Sequence, residues 1–185
     1  LGNLAAVQVA RGRYAEAAPR LEQALALQVK RWGADHPATA ASLNNLARLY
    51  HAQGRYPDAE AIYRRVLRIN EQAFGPDHSA VATGLNNLAC LYHDLGRSSE
   101  AEALLRRALR INELGAGAEA PALLATLGNL ASVVRAQGRP AEAEALLRRA
   151  LAICEKSVGA DGPDAANLHN NLGAVYSALG QYEAA

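Results

Sequence analysis

Apolar residues recur along the chain at helical spacing, in stripes separated by glycine. In the clearest stretch Leu43, Leu46 and Tyr50 occupy positions i, i+3 and i+7, which is the spacing of one helix face. After Gly54, a second stripe of the same kind runs through Val66. The pattern predicts a pair of amphipathic helices, which we name helix A and helix B in chain order.

The stretch that opens helix A recurs at a fixed step. Leu43-Asn44-Asn45-Leu46-Ala47 is followed 42 residues later by Leu85-Asn86-Asn87-Leu88-Ala89, and related motifs begin at Leu1, Leu127 and His169. A period of about 20–50 residues is the signature of a stacked repeat protein. We therefore predict a single array over residues 1–185, with repeats at 1–42, 43–84, 85–126 and 127–168 and a partial repeat at 169–185.

Further residue types recur at the same step and predict how the helices end and pack. Glycines follow helix A and helix B, where a left-handed residue closes a helix: Gly12, Gly54, Gly96, Gly138 and Gly180 after helix A, and Gly33, Gly75, Gly117 and Gly159 after helix B. Prolines fit the first turn of helix A at Pro37, Pro121 and Pro163. Alanine predicts a close approach of helix B to helix A at Ala17, Ala59, Ala101, Ala143 and Ala185.

The loops between repeats have predicted structural roles. We expect an acidic residue to cap the next helix A, at Asp35, Asp77 and Asp161. His36 and His78 are expected to serve the turn. The large residue near the end of helix B is expected to pack beneath the next helix A as core, at Trp32, Phe74 and Val158.

These motifs carry a family resemblance. Leu43-x2-Leu46-Ala47-x2-Tyr50, followed by Ala59-x3-Tyr63, resembles the tetratricopeptide repeat (TPR). The 42-residue length and the loop from Gly75 to His78 resemble more narrowly the kinesin-light-chain type, over essentially the whole chain. The resemblance implies an all-α fold, a right-handed TPR superhelix (an α-solenoid of antiparallel helix pairs), with helix A on the concave binding face. The third repeat departs most, because Val134 replaces the tyrosine and the usual loop is lost.

Composition agrees with an all-α chain and excludes some partners. Half of the residues are apolar but only 5% are aromatic, so Ala and Leu, both strong helix formers, dominate. A formal net charge of +1 favours neither nucleic acid nor an anionic membrane as partner. Cys90 and Cys154 match no metal or redox spacing, which indicates free thiols and a cytoplasmic location. The chain begins in mid-repeat, so we expect a fragment whose ends fray or associate end to end.

One polar column is unexpected within an amphipathic helix. Asparagine competes for backbone groups and is a poor mid-helix residue, yet it recurs at Asn3, Asn45, Asn87, Asn129 and Asn171. Side-chain amides at this spacing could hold an extended peptide, since packed helices lie about 8–10 Å apart and a strand advances about 3.3 Å per residue. The resemblance implies the same, because kinesin-light-chain asparagines matching this column are associated with holding cargo peptides. Alternatively, each asparagine sets only the stacking register.

Residues that vary around this asparagine ladder are the candidates for specificity. They fall on or beside the same face, at Asn44, Arg48, His51, Asn86, Cys90, His93, Asp94, Ser132 and Arg135. Arg48 and Arg135 make the face mildly basic, which favours an acidic, or acidic and aromatic, peptide. Any one of them could equally be an ordinary solvated residue.

Other chemistry finds little support in the sequence. His51 and His93 lie one repeat apart, but two histidines without a third ligand do not define a metal site. The arginine pairs Arg64-Arg65, Arg106-Arg107 and Arg148-Arg149 follow a glutamate at Glu-to-Arg helical spacing, without interleaved aromatic residues to stack bases, so we expect solvated helix surface. No catalytic motif occurs, so we predict neither an enzyme nor a cofactor.

The sequence therefore predicts a protein–protein interaction module or scaffold, binding an extended peptide of a partner along its concave, asparagine-lined groove. Two alternatives remain open. The chain could be a structural or self-association solenoid, or a regulatory segment of a larger signalling protein or NTPase.

Overall fold

The computed structural model of the chain describes residues 13–157 and 162–180. Within these ranges every regular element is a helix. The α-helices are α1 (Tyr14–Trp32), α2 (Pro37–Ala52), α3 (Tyr56–Phe74), α4 (Ser79–Asp94), α5 (Ser98–Ala116), α6 (Leu124–Ala136), α7 (Pro140–Ser157) and α8 (Pro163–Ala178), and a 3₁₀ helix spans Pro121–Leu123. The even-numbered helices are A helices and the odd-numbered ones are B helices. No described helix is long and apolar enough to cross a membrane.

The chain divides into two compact units, one ending at Leu91 and the other beginning at Tyr92. In the first unit α2 packs against both α1 and α3, and in the second α7 packs against both α6 and α8. Each helix therefore buries its apolar stripe against its neighbours in sequence, as the spacing predicts. The single array over residues 1–185, and the repeat boundaries within it, stay predictions.

The alanine column lies where the two helices of a pair come closest. Ala17, Ala59, Ala101 and Ala143 are all fully buried, which confirms the prediction for the described members, while Ala185 lies outside the described residues. In the first unit Ala17 packs in one apolar cluster with Leu46 of α2. Only a methyl group fits at such a position, because protein interiors are close-packed.

The turn from helix A to helix B has the same geometry in both units. Gly54 adopts φ +73°, and its N–H donates to the His51 carbonyl at 2.9 Å. The next N–H, that of Arg55, donates to the Tyr50 carbonyl at 2.9 Å, and its guanidinium lies 3.9 Å above the Tyr50 ring. Left-handed φ confirms the predicted helix ends at Gly54, Gly96, Gly138 and Gly180, and at Gly33, Gly75 and Gly117, whereas Gly12 and Gly159 lie outside the described residues.

The loop from helix B to the next helix A corrects two predictions. Histidine, and not aspartate, caps helix A: Nδ1 of His36 accepts from the Ala38 N–H at 3.1 Å, and Nδ1 of His78 does the same for Ala80. The carboxylate of Asp35 instead accepts from Arg65 at 3.0 Å. An imidazole one residue closer to the helix takes the cap position, so Asp35 is free to bind the next helix B. Asp161 lies outside the described residues.

The aromatic residues that end helix B were wrongly predicted as core. Trp32 and Phe74 are each 47% exposed. Their rings stack on the capping imidazoles, with ring centroids 5.1 Å apart for Trp32 and His36 and 4.6 Å apart for Phe74 and His78. Stacking on a loop residue leaves one ring face open, so these aromatics are available at the surface. Val158 lies outside the described residues.

The arginine pairs on the B helices are engaged within the protein. The first arginine of each pair binds the glutamate one turn earlier, at 2.8 Å for Arg64, 2.7 Å for Arg106 and 2.8 Å for Arg148. The second clamps the preceding loop, since Arg65 donates to the Ala34 carbonyl at 2.7 Å and Arg149 to the Ala118 carbonyl at 2.8 Å. This pairing supports their reading as structural surface.

The third repeat begins its helix A differently from the second. The column that holds His36 and His78 holds Ala120, which makes no side-chain cap. The chain enters through the 3₁₀ helix at Pro121 before α6 begins at Leu124. A tighter 3₁₀ turn at a helix N-terminus is a common way to satisfy backbone groups without a capping side chain.

Candidate functional site

The described members of the asparagine ladder lie on the four A helices and are all half-buried. They are Asn45 on α2, Asn87 on α4, Asn129 on α6 and Asn171 on α8, while Asn3 lies outside the described residues. A half-buried amide is held by its surroundings but keeps part of its polar surface at the face of the helix. The structure therefore places the described members of the predicted ladder on equivalent faces, and their environments differ.

One rung of the ladder takes part in helix stacking. Nδ2 of Asn87 donates to Oδ1 of Asn44 at 2.9 Å, which joins two successive A helices of the first unit. By contrast, no side-chain hydrogen bond of Asn45 occurs among the described residues. Neighbouring asparagines in one motif thus have different roles, because Asn44 points to the next helix A and Asn45 leaves its amide at the open face.

A cleft of about 370 Å³, which we name cleft 1, opens between α2 and α4 in the first unit. Asn44 and Asn45 line it from α2, Phe74 from the end of α3, and Thr83 and Gly84 from α4. The exposed face of Phe74 is therefore part of its wall.

The second unit has a cleft of about 440 Å³ between α6 and α8, which we name cleft 2. Pro121, Gly128 and Asn129 form one wall, from the 3₁₀ helix and α6. The other wall is α8, which contributes Asn167, Leu168, Asn170 and Asn171. Four asparagine side chains around one opening make this the more polar of the two clefts.

The two clefts are built from the same columns of the repeat. Residues that line cleft 1 from helix A recur 84 residues later in cleft 2: Pro37 and Pro121, Ala40 and Leu124, Ala41 and Ala125, Asn44 and Gly128, and Asn45 and Asn129. Both units therefore present an opening at the same junction between successive A helices. Neither lining contains a charged residue.

Several predicted specificity residues lie outside these linings. Arg48 and Arg135 are exposed on α2 and α6, and Asn86 is half-buried on α4. The His51 ring packs edge-on against Tyr56 and Tyr63 of α3, with ring centroids 5.9 and 6.5 Å away. It therefore contacts the helix pair as well as the surface.

The remaining predicted residues lie near the ends of α4 and α6. Ser132 donates to the Gly128 carbonyl of its own helix at 3.1 Å, so its hydroxyl is already used. Nδ1 of His93 is buried and has no hydrogen-bond partner within the described residues. Cys90 is half-buried, Asp94 is exposed, and both Cys90 and Cys154 are free thiols.

A second asparagine column, on the B helices, escaped the sequence analysis. Asn70 is 8% exposed and donates to the Ala80 carbonyl at 3.2 Å, which fixes the first turn of the next helix A. Asn112 reaches the equivalent carbonyl of Ala122 at 3.4 Å. Asparagines 42 residues apart on helix B were the available signal, but Gln28 and Cys154 occupy the same column and obscured it.

Titratable groups near this face do not form a catalytic arrangement. Burial raises the pKa of the Tyr63 phenol, an effect that Arg48 opposes, so this hydroxyl stays protonated. Within the described ranges, no three His, Cys, Asp or Glu side chains gather where they could hold a metal ion. The chemistry that the face offers is hydrogen bonding by amides, together with the apolar surface of Phe74.

Comparisons with known proteins identify the repeat. The tetratricopeptide-repeat family model matches residues 1–72, 50–113 and 122–185. Among curated proteins, no sequence matches the chain significantly.

Solved structures agree with the family model. The chain is similar to the nearly identical TPR-like repeats of a Podosopora anserina protein assigned as a kinesin light chain, at 30% identity and a TM-score of 0.77, over 98% of this chain and 86% of that one. A variant of that protein gives a TM-score of 0.79 at the same identity and coverage. BtubC (BKLC) from P. vanneervenii is 26% identical with a TM-score of 0.80, over 98% of this chain and 72% of that chain.

These matches confirm the predicted all-α helical-repeat solenoid class. Repeats of this kind are generally protein–protein interaction scaffolds and typically non-catalytic. The chain belongs to the tetratricopeptide-repeat family and is of the kinesin-light-chain-like type.

Proposed function

We propose that the protein binds an extended peptide segment of a partner along the faces of its A helices, with the ladder asparagines holding the peptide backbone. The observation that carries this proposal is the recurrence of one cleft at equivalent positions in both units, each lined by a ladder asparagine. Asn45 lines cleft 1, and Asn129 and Asn171 line cleft 2.

Amide side chains suit this task because a peptide backbone offers the same groups. A carboxamide has two N–H donors and one carbonyl acceptor, so it can pair with both the C=O and the N–H of an extended residue. Half-burial restricts the rotamers of Asn45 and Asn171 before binding, which lowers the conformational entropy lost when the peptide is captured. Such contacts hold the backbone and leave sequence preference to the side chains around them.

A second function is favoured by a different observation. The hydrogen bond from Asn87 to Asn44 supports a stacking role for at least this rung. A chain whose asparagines only set the helix register would act as a rigid spacer that positions neighbouring domains. The two functions make opposite predictions for the asparagines that line the clefts.

Selection from a phage-displayed library of random dodecapeptides tests the proposal. We expect the wild type to enrich a motif, and a combined Asn45→Ala and Asn171→Ala variant to bind the selected peptide more weakly by about fivefold to tenfold per side chain, the loss of one hydrogen bond each. Asn87→Ala is the matched control, since it removes a ladder amide that stabilises the helices and lines neither cleft. Unchanged affinity in the combined variant, with unaltered melting, would favour the spacer function.

A further inference from the structure

A glycine lies in the interior of an A helix in each cleft. Gly84 is the sixth residue of α4, which spans Ser79–Asp94, and Gly128 is the fifth residue of α6, which spans Leu124–Ala136. Glycine within a helix destabilises it relative to alanine, because the unfolded chain loses more conformational freedom on folding. Two such positions in the linings of equivalent clefts call for a reason.

Neither backbone conformation nor packing supplies that reason. The positive φ values of the described chain occur at other glycines, so both residues have ordinary helical backbones. A Cβ atom at Gly84 would meet Leu67 Cδ1 at 3.6 Å, and one at Gly128 would meet only Leu168 Cδ2, at 3.8 Å. Both distances are ordinary van der Waals contacts, so alanine would fit at either place.

Other repeats carry side chains in the same two columns. The column of Gly84 holds Ser42, Thr126 and Leu168, and that of Gly128 holds Asn44, Asn86 and Asn170, together with Gly2 outside the described residues. The contact that a Cβ at Gly128 would make shows that this position faces Leu168 in the second unit. The equivalent pair in the first unit is Asn44 and Gly84, so each cleft has one side chain opposite one glycine.

The two linings differ in chemistry although they share their positions. Cleft 1 has the exposed ring of Phe74 and the side chain of Val66 in its wall, whereas cleft 2 has the amides of Asn167, Asn170 and Asn171 on one helix. Neither lining holds a charge, so a charged ligand side chain would lose water there without a compensating partner. This disfavours the acidic residue that the exposed arginines suggested, at least within the clefts.

We propose that clefts 1 and 2 are side-chain specificity pockets for an uncharged peptide, kept open by Gly84 and Gly128. Cleft 1 takes an apolar side chain against Phe74, and cleft 2 takes an amide or hydroxyl side chain among its asparagines. The inference rests on the proposed peptide-binding function and adds to it the two residues that set its selectivity.

The experiment uses the same dodecapeptide library against the whole chain and three variants, Gly84→Ala, Gly128→Ala and Gly115→Ala. Gly115 is the matched control, because it is exposed near the end of α5 (Ser98–Ala116), its added Cβ would meet nothing within 4 Å, and it lines neither cleft. Alanine should not lower the melting temperature in any of the three, since it is the better helix former. A loss of binding would therefore not come from unfolding.

We expect the wild-type motif to contain one apolar and one amide or hydroxyl position. Gly84→Ala should weaken the selected peptide about tenfold, as the loss of room for one methyl group does in a fitted pocket, and Gly115→Ala should not. A peptide shortened at the apolar position should regain affinity for Gly84→Ala but not for Gly128→Ala, which ties each glycine to one ligand residue.

Two outcomes overturn the inference, and they are distinguishable. If the wild type enriches no peptide, the proposed function fails and the pockets fail with it. If the wild type enriches a motif that Gly84→Ala and Gly128→Ala bind as well as Gly115→Ala does, peptide binding stands and the glycines have no part in it. A motif with an acidic residue whose affinity depends on either glycine would overturn the uncharged specificity.

Discussion

Nδ2 of Asn87 lies 2.9 Å from Oδ1 of Asn44, and this hydrogen bond joins two A helices that are adjacent in the first unit. The same motif, one residue further along α2 (Pro37–Ala52), places Asn45 in the lining of cleft 1. The Leu-Asn-Asn-Leu-Ala motif thus combines a stacking amide with a surface amide. Peptide capture and helix register are therefore separable by mutation.

The stacking bond should appear as a coupling energy between the two asparagines. We expect Asn44→Ala and Asn87→Ala to couple by about 0.5–1.5 kcal/mol in a double-mutant cycle, the usual net contribution of one hydrogen bond. Urea unfolding of the four proteins measures it. The gain in helix propensity from each alanine cancels in the cycle. Asn45→Ala combined with Asn87→Ala is the control, and equal coupling in both cycles would contradict a specific bond.

Most of the fold followed from the sequence because its cause is local and periodic. Helix pairs come from apolar spacing, and the glycine that ends helix A comes from the left-handed φ that Gly54 adopts. The clefts could not be predicted, since they depend on which of two facing columns carries a side chain. Phe74 was misplaced for a related reason: its partner is His78 in the loop, and a stacking contact between two residues leaves no periodic signal.

The histidine cap should contribute to stability through its Nδ1 acceptor. We expect His78→Ala to lower the free energy of unfolding by about 1 kcal/mol, because the Ala80 N–H loses its side-chain acceptor at 3.1 Å. Aspartate is also a strong capping residue. His78→Asp should therefore recover most of this loss, and what it does not recover measures the stacking on Phe74. If His78→Asp is as unstable as His78→Ala, the cap is not what His78 contributes.

Overpacking should be costly at the alanine column and harmless one turn face away. Ala59 is fully buried where α3 (Tyr56–Phe74) meets its partner helix, so Ala59→Leu should destabilise the protein by about 1–3 kcal/mol. Ala61, exposed on the same helix, provides the matched substitution, and Ala61→Leu should change stability by less than about 0.5 kcal/mol. Thermal or urea unfolding compares the two. Equal effects would show that helix propensity, not packing, governs the position.

An ion-pair network on the B helices predicts how stability depends on pH. Partial burial acts to raise the pKa of the Glu102 carboxyl, but hydrogen bonds from Arg106 and Arg139 outweigh it, so this pKa lies below its ordinary value. Nη1 of Arg139 lies 2.9 Å from Oε1 of Glu102, and Arg139 also pairs with Glu142. A carboxyl with a lowered pKa stabilises the fold above its unfolded pKa of about 4.3 and loses that contribution as the pH falls through its folded pKa.

Arg139→Gln should therefore destabilise the protein at pH 7 and have progressively less effect below about pH 4.3, where Glu102 begins to take up a proton in the unfolded chain. Urea unfolding at intervals between pH 7 and pH 3 measures the difference from the wild type. Arg110→Gln is the control, because Arg110 is exposed on the neighbouring α5 (Ser98–Ala116) and forms no ion pair among the described residues. A difference between wild type and Arg139→Gln that stays constant with pH would mean that Arg139 contributes through packing and not through the Glu102 charge.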